Sequence, residues 1–185
     1  MKFATLADGT RDGQLLLVAR DGQRAVSATA IASTLQDALE RWDAVEGALQ
    51  DRYAALNAGR LDDAFDVDLS ALAAVMPRSY QFIDGSAYLN HIELVRRARG
   101  AEMPESFQTD PLVYQGVSDG YLAPREDIVV GDTAWGVDFE GEVAVITGEV
   151  PYHCSKADAL QHIRLVCILN DVSLRMLIPP ELKKG

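Results

Sequence analysis

Cysteine is scarce in this chain. Cys154 and Cys167 are the only two among 185 residues. They lack CxxC spacing and flank no histidine pair at zinc-finger distance, so neither a disulfide scaffold nor a thiolate zinc site is indicated. Long apolar runs are missing too: nothing approaches the ~20 residues that a membrane-spanning helix needs. The opening MKFATLADGTRDG has no apolar stretch behind a basic flank and does not read as a secretory signal. Basic residues are outnumbered, with 17 Lys and Arg against 28 Asp and Glu, a net charge of −11. A field of that sign repels phosphate backbones and anionic lipid, so neither nucleic acid nor membrane is expected as a partner. No internal repeat or low-complexity tract is visible. These absences leave a reducing, cytoplasmic setting as the simplest expectation.

The remaining composition is globular: 48% hydrophobic against 24% charged residues, which argues against disorder. Lys2 to Ala7 and Gln14 to Arg20 read as strands. Asp21-Gly22 is a hairpin signal before a third strand from Gln23 to Ala28. Helical spacing then takes over through Leu35, Leu39, Trp42, Leu49, Tyr53 and Leu56, with Thr34 as N-cap and Gly59 as stop. A connecting segment from Asp62 to Pro77 places a boundary between a domain of residues 1–76 and a second of residues 77–185. In the second, Tyr88 to Ala98 reads as a helix, and residues 100–125 as loop. Val137 to Thr147 and Arg164 to Asn170 read as strands, the latter buried. Ser155 and Asp158 resemble a capping box before a short helix. The apolar run near the end leads into DVSLRMLIPPELKKG without a closing strand or helix, as though partner strands were missing.

The chemistry concentrates in three segments. In Val137 to Val143, alternation puts Asp138, Glu140 and Glu142 on one strand face. Val137, Phe139, Val143 and Val145 lie on the other, expected to face a core. Carboxylates about 7 Å apart along a strand can converge on one divalent cation. A half-exposed strand whose polar face happens to be acidic gives the same pattern. Asp171 ends an apolar run, where a strand delivers a side chain to a cleft. Arg175, four residues on, could meet it across a helical turn. Asp84 precedes His91 by seven residues, and His91 falls in the expected helix.

Together these segments resemble the fumarylacetoacetate hydrolase family. Asp84 and His91, the Glu140-x-Glu142 strand, the Asn170-Asp171-x-Ser173-x-Arg175 segment, and Tyr114-x-Gly116 occur in that family's order. The similarity is nearest to the bacterial fumarylacetoacetases. It implies an α+β fold, with a small N-terminal α/β domain followed by part of a mixed β-roll. It also implies Mg²⁺ or Ca²⁺ held by Asp84, Glu140, Glu142 and Asp171, a hard oxygen set poorly suited to zinc. The implied reaction is hydrolysis of a carbon–carbon bond in fumarylacetoacetate or a related β-diketo acid, in tyrosine catabolism. His91 is the implied base, Arg175 the group that stabilises the leaving enolate, and Tyr114 a substrate contact.

The pattern also departs from the family. Ser86 stands where the family has Tyr, and Ile178 where it has Gln. Lys183 and Lys184 come too early to serve as the family's catalytic Lys, and the Glu that partners the family's His lies far downstream. The expectation is therefore a truncated hydrolase with little turnover alone. A non-catalytic fragment retaining a cation site or an assembly surface is the alternative, and hydratase, decarboxylase or isomerase chemistry stays open within the family. Family members are commonly dimers, so a homodimer is the assembly implied.

Overall fold

A computed structural model describes residues 1–184. The chain opens with four antiparallel strands in sequential order: β1 (Phe3–Leu6), β2 (Gln14–Val18), β3 (Arg24–Ser27) and β4 (Phe65–Asp66). Asp21 and Gly22 make the turn before β3, with Gly22 at φ 78° and the Asp21 carboxylate accepting from Gln23 N at 2.9 Å. Alternation along β2 divides the apolar residues between the two faces. Leu15 and Leu17 enter a cluster with Val26, Leu35, Val45, Leu49 and Leu56, while Leu16 packs with Ala4 and Ala25 on the other face.

The helical stretch forms, but as two pieces, α1 (Leu35–Glu40) and α2 (Trp42–Asn57). Thr34 caps α1, its hydroxyl accepting from Asp37 N at 3.0 Å. The break falls at Arg41, whose backbone leaves helical geometry at φ −117° and ψ 25°. Its guanidinium turns back to Asp37 at 2.6 Å and to the Ile31 carbonyl at 3.1 Å.

Beyond the connecting segment, β5 (Phe82–Gly85) pairs with β6 (Val113–Gly116). The second of these lies where the sequence reads as loop. Gly116 faces Phe82, and a Cβ built there would come within 2.5 Å of the ring. The Tyr114-x-Gly116 pattern therefore has a packing cause. Between the two strands, α3 (Leu89–Ala98) carries His91.

The expected continuous strand from Val137 to Thr147 is split into β7 (Val137–Asp138) and β8 (Gly141–Thr147). The two halves have different partners. A long β9 (Ile163–Asn170) pairs with β8, whereas a short β10 (Ser173–Leu174) pairs with β7. At the crossing, Asp171 N donates to the Glu140 carbonyl at 2.9 Å, and Glu140 N donates to Asn170 Oδ1 at 3.3 Å. The end of the described chain also differs from expectation, since a short helix α4 (Ile178–Leu182) follows β10.

Alternation on β8 and β9 matches the sequence, but burial does not. Glu142, Ala144 and Ile146 face inward across from Leu169, Cys167 and Leu165. Ile146 and Leu165 pack against the first cluster. The opposite face, expected to enter a core, is exposed: Val143 66%, Val145 49%, Val166 65% and Ile168 88%. Phe139 and Val137 are exposed as well, and β9 is half-exposed rather than buried. The reason is geometric. β8 and β9 form a two-stranded sheet, with one face against the N-terminal core and no described element over the other. The architecture is α+β.

Candidate metal centre

The two-stranded pairings bring the acidic segments to one place. Asp84 on β5 and Tyr114 on β6 are direct cross-strand partners. Glu142 starts the inward face of β8, and Asp171 follows the last residue of β9, whose end pairs with the start of β8. As a result, carboxylate oxygens of Asp84, Glu142 and Asp171 all lie within 4.8 Å of one another. The Tyr114 hydroxyl donates to Asp171 Oδ2 at 2.6 Å.

Gathering three carboxylates in partly buried surroundings has an electrostatic cost. Burial pushes the Asp84 carboxyl above its ordinary range, and the neighbouring Asp171 and Glu140 push it further, against a lowering contribution from the Tyr114 hydroxyl. Burial likewise raises Glu142, followed by the charges of Asp84, Asp171 and Glu140. Tyr114 is raised by burial and by its acidic partners, so its hydroxyl stays protonated and able to donate. The donor set is all oxygen, and no cation of the protein is hydrogen-bonded to these three carboxylates among the described residues. A hard divalent cation fits it: the added charge would offset the mutual repulsion, and oxygen ligation suits Mg²⁺ or Ca²⁺.

Glu140 is placed differently from Glu142. Its Oε1 accepts from Ser173 Oγ at 2.9 Å and from the Arg175 guanidinium, and its Oε2 lies 3.3 Å from His91 Nε2. It falls outside the close trio. Arg175 also binds Asp138 Oδ2 at 2.8 Å, and that contact holds the Asp138 carboxyl below its ordinary range. Burial works against the Arg175 charge, but Asp138 and Glu140 outweigh it and raise its pKa. The contact between Asp171 and Arg175 across a helical turn does not form. The intervening residues are extended in β10, and Arg175 reaches β7 instead.

Gly136 helps set this geometry. It adopts φ 68°, its carbonyl accepts from Arg175 N at 2.9 Å, and a Cβ there would meet Met176 Cγ at 2.9 Å. The sequence named Asp138 and Ser173 without giving either a role. Their alternation with Glu140 and Arg175 was the available signal, but it needed the β7–β10 pairing to become a contact.

Comparison with known protein families assigns both parts of the chain. Residues 1–78 match the model of fumarylacetoacetase N-terminal domain 2, and residues 81–184 match that of the fumarylacetoacetate (FAA) hydrolase C-terminal domain. The chain belongs to the fumarylacetoacetate hydrolase family. Among curated proteins, this family member is similar to two human mitochondrial oxaloacetate tautomerases, each 27% identical over 66 residues. The matched stretch covers 36% of this chain and 21% of each relative, so the chain matches about a fifth of their length. Among the described residues no helix is long and apolar enough to cross a membrane.

Proposed function

We propose that this family member carries a divalent-cation centre for chemistry on a small β-diketo or α-keto acid, with Asp84, Glu142 and Asp171 as the cation-holding residues. The observation that carries the reading is the convergence of those three carboxylates within 4.8 Å. Mg²⁺ or Ca²⁺ is the proposed ion. When bound, such a cation supplies Lewis-acid polarisation and a template for chelating substrate oxygens.

The chain's own residues supply the rest. His91 is 38% exposed at its side chain and lies beside Glu140, where it can take a proton from water or from a substrate carbon. Tyr114 fixes the orientation of Asp171 and offers its oxygen to substrate. Arg175 balances Glu140 and Asp138, and its charge favours an enolate forming nearby.

Two reactions use these groups. Hydrolysis of fumarylacetoacetate or a related acylpyruvate, in tyrosine catabolism, is the reading that the motif order supports. Keto–enol tautomerisation is the second reading, favoured by the similarity to the two human tautomerases. It requires only enolate stabilisation and proton transfer. We also read residues 1–76 and 77–185 as two domains, supported by the separate family matches on either side of residues 78 and 81. A homodimer is the assembly that the family resemblance suggests.

Calorimetric titration with Mg²⁺ and Ca²⁺ tests the centre. Binding is expected in the native chain and is lost in Glu142→Ala; equal binding in both refutes the site. Parallel assays of fumarylacetoacetate cleavage and oxaloacetate enol–keto conversion separate the two reactions.

A further inference from the structure

Asp138 takes no part in the carboxylate trio, yet its place is fixed. Its strand, β7, has only two residues, and it sets Asp138 directly opposite Ser173 and Val137 opposite Leu174. Arg175 lies two residues beyond Ser173, so it sits diagonally from Asp138 on the same face, within reach of a long side chain. Arg175 Nε donates to Asp138 Oδ2 at 2.8 Å, and Nη2 donates to Glu140 Oε1. One planar guanidinium is thus held at two nitrogens by two different carboxylates. Its third nitrogen, Nη1, makes no hydrogen bond among the described residues. The short strand pairing does not need this ion pair in order to close. Arg175 N donates to the Gly136 carbonyl at 2.9 Å, and Met176 N to that of Trp135 at 3.0 Å. The Asp138 side chain is also 51% exposed, a setting in which an ion pair adds little to stability.

We propose that Asp138 is the positioning residue of Arg175: by holding Nε it sets the guanidinium plane, so that Nη1 is presented to the negative charge that develops on the substrate. The inference rests on the reading given above, in which Arg175 favours an enolate beside the cation centre. A guanidinium held at Nη2 alone can swing about that one contact. A second anchor at Nε fixes its plane, and the rigid fork carries Nη1 with it. A donor oriented beforehand costs no rearrangement when the charge appears. What Asp138 supplies is orientation, since a second carboxylate by its charge alone repels an anion. The two effects have opposite signs. Loss of the Asp138 charge by itself would tighten the binding of an enolate-like anion, whereas loss of the anchor weakens it.

The test titrates oxalate, a planar dianion with the oxygens of an α-keto acid enolate, into the full chain at saturating Mg²⁺. In calorimetry, Asp138→Asn should weaken oxalate about tenfold while Mg²⁺ affinity stays within about threefold. Arg175→Lys should weaken oxalate as well, and Asp138→Asn added to Arg175→Lys should cost nothing further. Unchanged or tighter oxalate binding in Asp138→Asn overturns the proposal. So does an equal loss of Mg²⁺ affinity, or a pair of losses that add in the double variant. Should Asp138→Asn fail to fold, Asp138→Glu serves instead. It keeps the charge and displaces the anchor, and it should weaken oxalate by less; unchanged affinity counts against the proposal. Full oxalate affinity in Arg175→Lys, or a native chain that binds Mg²⁺ without oxalate, refutes the enolate-facing reading of Arg175 and the proposal with it. If the native chain binds no Mg²⁺, the cation reading fails, and the Arg175 Nε–Hε signal of the ¹⁵N-labelled chain decides alone. That signal should move in Asp138→Asn, and an unmoved one overturns the proposal.

Discussion

The Tyr114 hydroxyl donates to Asp171 Oδ2 at 2.6 Å, from the strand position directly opposite Asp84. One oxygen of Asp171 is thereby fixed and the other left available. Partners of this kind, one step removed from a cation, commonly change affinity by about 10–100-fold. Tyr114→Phe should therefore weaken Mg²⁺ binding by about tenfold in calorimetry while leaving the far-ultraviolet circular dichroism unchanged. Unchanged affinity would confine Tyr114 to substrate contact.

Without a bound cation, the three close carboxylates work against folding. Burial and mutual repulsion raise Glu142 and Asp84, so the folded state holds protons more tightly than the unfolded one. The linkage sign follows: the penalty is absent below the unfolded pKa and grows as pH rises through the raised folded values. Glu142→Gln should then raise the melting temperature of the cation-free chain at pH 7 more than at pH 4. It should also abolish any melting rise on adding Mg²⁺. A melting temperature lowered equally at both pH values would contradict the repulsion argument.

The opposite sign operates at the start of α1. Asp37 is lowered to about 2, first by the Arg41 guanidinium and then, against a burial penalty, by Ser33 N. A depressed carboxylate contributes stability above its unfolded pKa and loses it as pH falls through the folded value. Acid unfolding should steepen between pH 4 and about 2, and Asp37→Asn should flatten that interval. Removing the neighbouring cap, Thr34→Ala, should cost about 1 kcal/mol in urea unfolding at neutral pH.

The first three strands, the Thr34 cap and the Gly59 stop were legible in the sequence because each depends on nearby chain, whereas β4 was not, since it pairs with β3 from about forty residues away. Asp84, Glu142 and Asp171 were legible as a set only through motif order, because no local periodicity joins residues 84 and 171. The placement of Glu140 beside His91 and Arg175 was hidden for a related reason. Simple alternation predicts that it points with Glu142, but the chain changes partner strands at Phe139 and Glu140. A switch from β10 to β9 pairing leaves little local trace. Residues 113–116 read as loop because only a distant segment, 82–85, makes them a strand.

The outward face of β8 and β9 offers Val143, Val145, Val166 and Ile168 to solvent. Contiguous apolar surface of this kind binds hydrophobic dyes and drives association. Val166→Thr with Ile168→Thr should reduce anilinonaphthalene sulfonate fluorescence and concentration-dependent scattering, with little change in melting temperature. Leu15→Ala, by contrast, removes a side chain with no exposure and should cost about 2–5 kcal/mol. Equal destabilisation by the two changes would mean that the hairpin face is covered.

Every buried residue among those described lies between Ala4 and Leu56, while the carboxylate trio and His91 lie between Asp84 and Asp171. Cohesion and chemistry are thus housed in different parts of one chain. Amide hydrogens near the carboxylates should exchange early, and those of β2 and α2 last, giving two populations where a single cooperative unit would give one. The half that carries the carboxylates meets the N-terminal core through Ile146 and Leu165 on the inward side of one hairpin, and through the Arg78–Asp12 and Arg164–Asp43 pairs and the Tyr80 hydroxyl on Glu40.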